Sequence, residues 1–330
     1  MSMKKDIKIS VVIPTYRRPE LLMECIHALA RQHFNTADFE VLVVSDGPDA
    51  ATKKVVASWK ATGLLQLKYL SLQHKGGPAA ARNKGWKNAA GKIIAFTDDD
   101  CRPDPEWLNR IWQHHREDEE LVAYTGKVVV PMPEPGAITD HAFNTAHLSE
   151  AEFVTANCAC TKRALEQTGG FDERFTMAWR EDSDLEFNFL RHGIPIRYLP
   201  VARVVHPVRK NSWGSSLWDQ RKGIFNALLF RKHPALYKAR IKQSPPLKYY
   251  IMAGSLVAFT ICLLLGNLPA AALLLGCWIA AWLYFTGQRL LHTSRQPMHM
   301  LEMLYTSAFI PLLSIYWHFY GSIKYRAFFL

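Results

Sequence analysis

Apolar and polar positions alternate in short blocks over the first two hundred residues, and long apolar runs follow. Ile7 to Ile13 is apolar and β-branched, long enough for a buried strand and too short for a helix, and Pro14-Thr15-Tyr16 closes it. From Glu20 to Arg31 the positions Leu21, Leu22, Cys25, Ile26 and Leu29 recur at helical spacing. Phe39 to Val44 predicts a second strand, ended by Ser45-Asp46-Gly47-Pro48. Asp49 then stands where a cap opens a helix to about Thr62, and Gly63 where a glycine stops one. Leu65 to Leu70 predicts a third strand. Gly76-Gly77-Pro78 opens a small-residue helix to Ala90, and Lys92 to Thr97 predicts a fourth strand. Strands alternating with helices predict an α/β fold, a mostly parallel Rossmann-like sheet with helices on both faces and ligands beyond the carboxyl ends of its strands.

Chemistry gathers at those ends. The fourth strand runs into Asp98-Asp99-Asp100, and Asp104-Pro105 reads as the cap and first residue of the next helix. Carboxylates this close repel one another unless a cation compensates, and an aspartate pair at a strand end suits Mg²⁺ or Mn²⁺ already holding phosphate oxygens. A solvated acidic loop is the plainer reading of the same residues. Asp46 falls at another strand end. The Gly76-Gly77 turn lets backbone approach a ligand, and Arg82 near the start of that helix suits a phosphate or a base, if it is not an ordinary surface arginine.

Leu121 to Val130 reads as a further strand, and Pro131 to about Glu152 as a long polar connection suited to a mobile lid or acceptor loop. After Asn157-Cys158-Ala159-Cys160 comes a short helix from Thr161 towards Gly169. Glu181-Asp182 opens a helix with Leu185, Phe189 and Leu190 facing inward and a stop at Gly193. A helix dipole favours ionised carboxylates in its first turn, which suits a general base as well as simple capping. Trp179 just before reads as an acceptor-pocket or core residue. His206, after the apolar run Val201 to Val205, reads as a third metal ligand or a structural histidine.

The 330 residues carry a net charge of +11, and the excess is local: from Arg203 to Lys248 there are eleven Lys or Arg against one acid, Asp219. Directly before apolar spans, such a stretch reads as contact with anionic lipids. No recognised nucleic-acid motif accompanies it, so nucleic acid is not an expected partner. Trp213, Leu217, Ile224 and Leu228 recur on one helical face, describing an interfacial helix or one packed on the preceding domain. Tyr249 to Leu265 and Leu268 to Thr286 are long enough to span a membrane, and Gly266-Asn267 turns between them. Lys242 and Lys248 before this hairpin, and Arg289 and Arg295 after it, place both ends in the cytosol. Met303 to Phe319 is interrupted by Pro311 and followed by Lys324 and Arg326, which favours a re-entrant or interfacial segment over a third span. Six cysteines without CxxC spacing predict free thiols, and Lys4-Lys5-Asp6 precedes no secretory signal.

Val11-Val12-Ile13-Pro14-Thr15-Tyr16, Val43-Val44-Ser45-Asp46-Gly47, Ala81-Arg82-Asn83, Phe96 to Asp100, Gly169-Gly170-Phe171-Asp172-Glu173 and Glu181-Asp182-Ser183-Asp184-Leu185 occur in that order. Over residues 7 to 206 the chain resembles the catalytic domain of glycosyltransferase family 2, inverting GT-A enzymes that use nucleotide sugars. The resemblance implies that Pro14, Thr15, Tyr16, Arg18 and Asp46 hold the nucleoside, with Gly76 and Arg82 beside it. It implies further that the aspartate motif, aligned as Asp98 and Asp100 or with Asp99 as a ligand, binds diphosphate and metal. Asp182 would be the base with Glu181 as neighbour or alternate, His206 would join the metal, and Asn157 and Trp179 would face the acceptor. Ser45 replaces an aspartate that many members carry, leaving Asp46 as the sole carboxylate for the base. Gln220-Arg221-Lys222-Gly223-Ile224 lacks the Arg-Trp end of the processive members' motif, which implies addition of one or a few sugars.

The expected organisation is a GT-A domain over 1–206, a basic amphipathic segment over 207–247 and a membrane region over 248–330. The expected function is a metal-dependent inverting hexosyltransferase on the cytosolic face of a membrane, such as a bacterial inner membrane, moving sugar from a nucleotide sugar, UDP-sugar foremost, to a lipid-linked or glycolipid hydroxyl. Transfer to a polyprenyl phosphate is the close alternative, and a non-catalytic membrane scaffold the alternative of another class.

Overall fold

The computed structural model describes residues 6–241 and 244–329, so Lys4, Lys5 and Lys242 lie outside the described residues. The chain divides into two compact units, one of residues 1–131 and 147–207 and one of 132–146 and 208–330.

In the first unit, β1 (Ile9–Thr15), β2 (Phe39–Ser45), β3 (Leu67–Ser71) and β4 (Ile93–Phe96) alternate with α1 (Pro19–Ala30), α2 (Ala50–Ala61) and α3 (Pro78–Lys87). All pairings among these strands are parallel, with Val11 opposite Val41 on one side and Ala95 on the other. β1, β2 and β4 are buried on both faces, as the inner strands of a doubly covered parallel sheet require, while β3 at the edge is only half-buried. Asp49 caps α2 as expected, accepting from the Ala51 and Thr52 amides.

The rest of the sheet is mixed. β5 (Arg102–Pro103), α4 (Trp107–His114), β6 (Ala123–Val129), α5 (Asp140–Ala146), β7 (Cys158–Thr161), α6 (Lys162–Thr168), α7 (Glu181–Arg191) and β8 (Ile196–Val205) follow in chain order. β7 lies antiparallel between β4 and β6, β8 runs parallel to β6, and β5 closes the edge antiparallel to β8, giving the order β3-β2-β1-β4-β7-β6-β8-β5. α1, α2 and α4 contribute to the core on one face, and α3, α6 and α7 to the core on the other. The helix expected from Pro105 begins two residues later, at Trp107, because Asp104 closes a turn: its carboxylate accepts from the Glu106 amide and its carbonyl from Trp107.

The second unit is helical: α5, then α8 (Ser215–Asp219), α9 (Ile224–Lys232), the one-turn α10 (Pro234–Leu236), α11 (Leu247–Leu264), α12 (Leu268–Leu290) and α13 (Pro297–Lys324). The single amphipathic helix expected around Trp213 to Leu229 is two helices joined by a 3₁₀ turn over Gln220–Gly223. α11 and α12 pair antiparallel, with Lys248 Nζ bonded to Gln288 and Tyr249 against Phe285. The last segment is unbroken, contrary to the interruption expected at Pro311. Proline removes one amide and frees one carbonyl, a local defect that neighbouring helices absorb around a buried site. α11, α12 and α13 are each long and apolar enough to cross a membrane.

The connection expected as a mobile lid is tied down over residues 132–146. Arg289 donates to Asp140 from Nη2 (2.8 Å) and Nε (3.3 Å), the Ser294 amide donates to the Ile138 carbonyl (2.7 Å), and Phe143 stacks on His292 with centroids 5.4 Å apart.

Candidate active site

The carboxyl ends of β1, β2 and β4 lie side by side, so the residues beyond them converge. Pro14 and Thr15 end β1 opposite Val44 and Ser45 of β2, and the Asp46 amide donates to the Thr15 carbonyl (2.8 Å). Asp46 Oδ1 accepts from the amides of Gly76 (2.7 Å) and Gly77 (2.9 Å), which fixes the glycine turn that opens α3. Gly77 has φ +94°, and a Cβ there would lie 2.5 Å from the Thr176 carbonyl oxygen, so only glycine fits. The Tyr16 ring is flanked by Lys75 Nζ at 4.3 Å and the Arg17 guanidinium at 5.3 Å.

The three aspartates diverge. A turn closed by the Cys101 amide on the Asp98 carbonyl (3.1 Å) brings donor atoms of Asp98, Asp100 and Cys101 together with His206, all within 4.8 Å of one another. His206 comes from the end of β8, where its amide donates to Val129 of β6 (2.9 Å), and its Nε2 is 3.7 Å from Asp100 Oδ1. Its Nδ1 is buried without a partner. Asp99 turns the other way: its Oδ2 accepts from Thr15 Oγ1 (2.7 Å) and Arg18 Nε (3.2 Å). Burial pushes Asp99 up to about 6 against the opposing pull of Arg18 and Thr15. Two carboxylates, an imidazole and an orphaned ring nitrogen fit a hard divalent cation. Burial, then Asp98 and Asp100, raise the Cys101 thiol, so it stays protonated and is the weakest donor of the four.

Arg82 joins this cluster to the acid pair. Only 2% of its side chain is exposed; Nη2 donates to Asp98 Oδ1 (2.8 Å) and Nη1 to Glu181 Oε1 (3.1 Å), over the face of Phe171. It is therefore an internal bridge rather than the surface arginine that its place near a helix start also allowed. Burial tends to raise Asp98, but the Arg82 guanidinium and His206 hold it below the usual carboxylate range. Burial and the neighbouring Asp182 charge push Glu181 up to about 7, against Arg82. Burial also raises Asp182, the more accessible of the pair, whose Oδ1 accepts from the Ser183 amide (2.7 Å).

Arg180, directly before α7, has φ +73°, a left-handed residue that turns the chain sharply into the acid pair, and its guanidinium stacks on Trp179 at 4.7 Å. Trp179 is 36% exposed, which excludes the core reading. Asn157 departs from its acceptor-side expectation. Its Oδ1 accepts from Trp107 Nε1 (2.8 Å) and its Nδ2 donates to the carbonyls of Lys127 (3.0 Å) and Ala202 (2.9 Å), at the register shift between β6 and β8. With 1% exposure and both amide atoms committed to these partners, it holds the sheet together. Asn157→Ala is expected to lower unfolding stability by about 2 kcal/mol, since one indole N–H and two carbonyls lose their partner, with the acceptor KM unchanged; chemical denaturation and initial rates check both. Lys75 and Cys101 were not anticipated, although both adjoin motifs that were: Lys75 precedes the glycine pair and Cys101 follows the aspartates.

The chain matches the profile for glycosyl transferase family 2 over residues 10–168 and that for glycosyl transferase family group 2 over 93–320. Among curated proteins it is 28% identical over 272 residues to a validoxylamine A glucosyltransferase of Streptomyces hygroscopicus subsp. jinggangensis, covering 69% of this chain and 61% of that protein. It is 27% identical over 289 residues to a pre-mycofactocin glycosyltransferase of Mycobacterium tuberculosis, covering 80% and 58%. The chain spans about 60% of the length of these curated relatives. Among solved structures, the mannosyltransferase PcManGT of Pyrobaculum calidifontis, in complex with GDP-Man and Mn²⁺, superposes with a TM-score of 0.58 over 97% of this chain and 91% of that one. At 21% identity that likeness is one of fold. The second profile alone takes in more than two thirds of the chain, which belongs to glycosyltransferase family 2 and has the GT-A fold.

Proposed function

We propose that the protein is a membrane-anchored inverting glycosyltransferase that moves a sugar from a nucleotide-sugar donor to a hydroxyl acceptor at the membrane. The observation that carries this reading is Arg82: one buried guanidinium ties the metal-competent turn of Asp98 and Asp100 to the acid pair Glu181-Asp182. A core needs no such arrangement. A transferase needs both a place for a leaving diphosphate and a base for an incoming hydroxyl.

In the reaction, the acceptor oxygen attacks the anomeric carbon from the face opposite the nucleotide. The new C–O bond forms as the bond to phosphate breaks, the hydroxyl proton passes to the Asp182 carboxylate, and the nucleoside diphosphate leaves with the electron pair. Glu181, braced by Arg82, holds the first turn of α7 and so orients Asp182. A divalent cation, Mg²⁺ or Mn²⁺, held by Asp98, Asp100 and His206, would supply positive charge to the leaving diphosphate.

UDP is the favoured nucleotide. Asp46 spends one carboxylate oxygen on Gly76 and Gly77, leaving the other for a base N–H. Uracil, like thymine, offers a single imino N–H on that edge, whereas guanine presents two N–H groups side by side that call for a carboxylate with both oxygens available, so the arrangement favours a pyrimidine nucleotide over GDP. Tyr16 would stack on the base. Calorimetric titration of detergent-purified protein with UDP, GDP and dTDP, each with Mn²⁺ and with EDTA, tests the donor site. UDP is expected to bind only with metal, and Asp100→Ala to weaken binding at least tenfold by removing one of the metal's carboxylates. Absence of nucleotide binding overturns the reading in favour of a scaffold.

A further inference from the structure

α13 meets the length and hydropathy requirements of a membrane span. Its packing does not suit one. It touches α11 and α12 around Leu304 to Ile310, where Trp282 Nε1 donates to the Leu304 carbonyl and Ile310 packs with Met252 and Phe285, and it also lies against α8, the 3₁₀ turn and α9, of which the last two carry basic residues. Near its start, the Gly214 amide donates to Glu302 Oε1 (2.7 Å) and Trp213 meets Tyr305 with centroids 5.2 Å apart. Near its end, Gly321 lies so close to Ile224 that a Cβ would come within 2.8 Å of that backbone, and Arg231 Nη1 donates to the Tyr325 carbonyl (2.9 Å). The segment from Gly214 to Arg231 thus runs beside α13 in the same direction and carries Arg221, Lys222 and Arg231 along it.

The hairpin sets the depth. Lys248 and Arg289 mark the base of α11–α12, and Gly266 marks its tip. Arg289 Nη1 donates to Thr306 Oγ1 (2.7 Å) and Ser307 Oγ (3.0 Å), which places those α13 residues level with the base. From Ser307 to Lys324 the helix extends about 26 Å. If that half descended through the hydrocarbon it would draw α9 with it, leaving Arg221 and Lys222 in the lipid and Arg231, Lys232, Lys324 and Arg326 on the far side. Charge burial and the retention of basic residues on one side both oppose this. The exposed residues Tyr305, Phe309, Tyr316, Phe319 and Tyr320 spread aromatic rings along the helix instead of gathering them at two ends. That distribution suits a helix held at one depth.

We propose that α13 lies flat on the membrane surface, paired with α8 and α9 as one amphipathic layer, and that α11 and α12 alone cross. The proposal rests on the membrane-anchored reading above. Single cysteines introduced as Leu268→Cys at the hairpin tip and Arg326→Cys after α13, in the full chain carrying Cys262→Ala and Cys277→Ala, test it with a membrane-impermeant maleimide on intact bacteria. Leu268→Cys is expected to label in intact cells and Arg326→Cys only after lysis. Labelling of both without lysis, or protection of both until lysis, puts the hairpin tip and the end of α13 on one side of the membrane and overturns the proposal. Labelling of Arg326→Cys alone supports a flat α13 and reverses only which side the hairpin base faces.

Discussion

Asp182→Asn is expected to lower kcat by a factor of about 10² to 10⁴, the range that a positioned general base supplies, while leaving nucleotide affinity unchanged. Asn keeps the shape of the side chain and the bond from the Ser183 amide but cannot take the hydroxyl proton. The measurements are the rate of nucleoside diphosphate release at saturating donor and the calorimetric affinity for UDP with Mn²⁺. The same variant separates two acceptor classes. A polyprenyl phosphate is already ionised, so a loss of less than about tenfold would point to a phosphate acceptor rather than a hydroxyl.

Arg82→Met is expected to cost both stability and activity. It strips the counterion from Glu181, which is 3% exposed, and from Asp98, whose side chain is 28% exposed. Removing one partner of a buried pair costs on the order of 3 kcal/mol here, towards the low end of such losses, because Glu181 escapes by taking up a proton. The sign with pH follows from linkage. In the wild type Glu181 is raised from 4.5 to about 7, so the folded state holds a proton that the unfolded chain has released, and its contribution to stability falls as pH rises through that window. Without Arg82 the carboxyl titrates higher still. Up to about pH 7 both proteins lose this contribution alike, so the part of the Arg82→Met penalty that comes from Glu181 should open only as pH rises above about 7, as denaturation midpoints on either side of that value would record. Activity should fall at least tenfold, since Asp98 and α7 lose their common anchor. Arg82→Lys keeps the charge but has one ammonium for two acids, so partial recovery of stability with little recovery of rate is expected.

Much of the first unit was legible because its segments are locally consistent. The β-branched blocks of β1, β2 and β4 are buried on both faces, and the capping aspartate and terminal glycine of α2 stand where capping rules put them. β7 escaped notice because Cys158-Ala159-Cys160-Thr161 is short and weakly patterned, and becomes a strand only between β4 and β6. The first half of β8 was missed because Arg197, Tyr198 and Pro200 break any alternation. At the site, the family resemblance left two alignments of the aspartate triplet; the turn closed by Cys101 groups Asp98 with Asp100 and sends Asp99 to Thr15 and Arg18. Arg82 and Asn157 were the least legible. Both are polar side chains whose roles depend on partners far away in sequence, Glu181 for the one and Trp107 and Ala202 for the other.

The path of the chain between the two units bears on how the protein can be taken apart. The first unit is left after Pro131, re-entered at His147 and left again after Pro207, and two of these crossings lie next to residues bonded to each other, Val129 and His206. No single cleavage yields an intact catalytic module. A fragment ending at Pro207 keeps α5 but discards Arg289 and His292, the residues that hold it. The first unit on its own therefore has to be spliced rather than truncated, with Pro131 joined to His147 by a short linker. Exchange of the first unit between chains faces the same rule, because its sequence is discontinuous and the inserted residues 132–146 belong to the other unit.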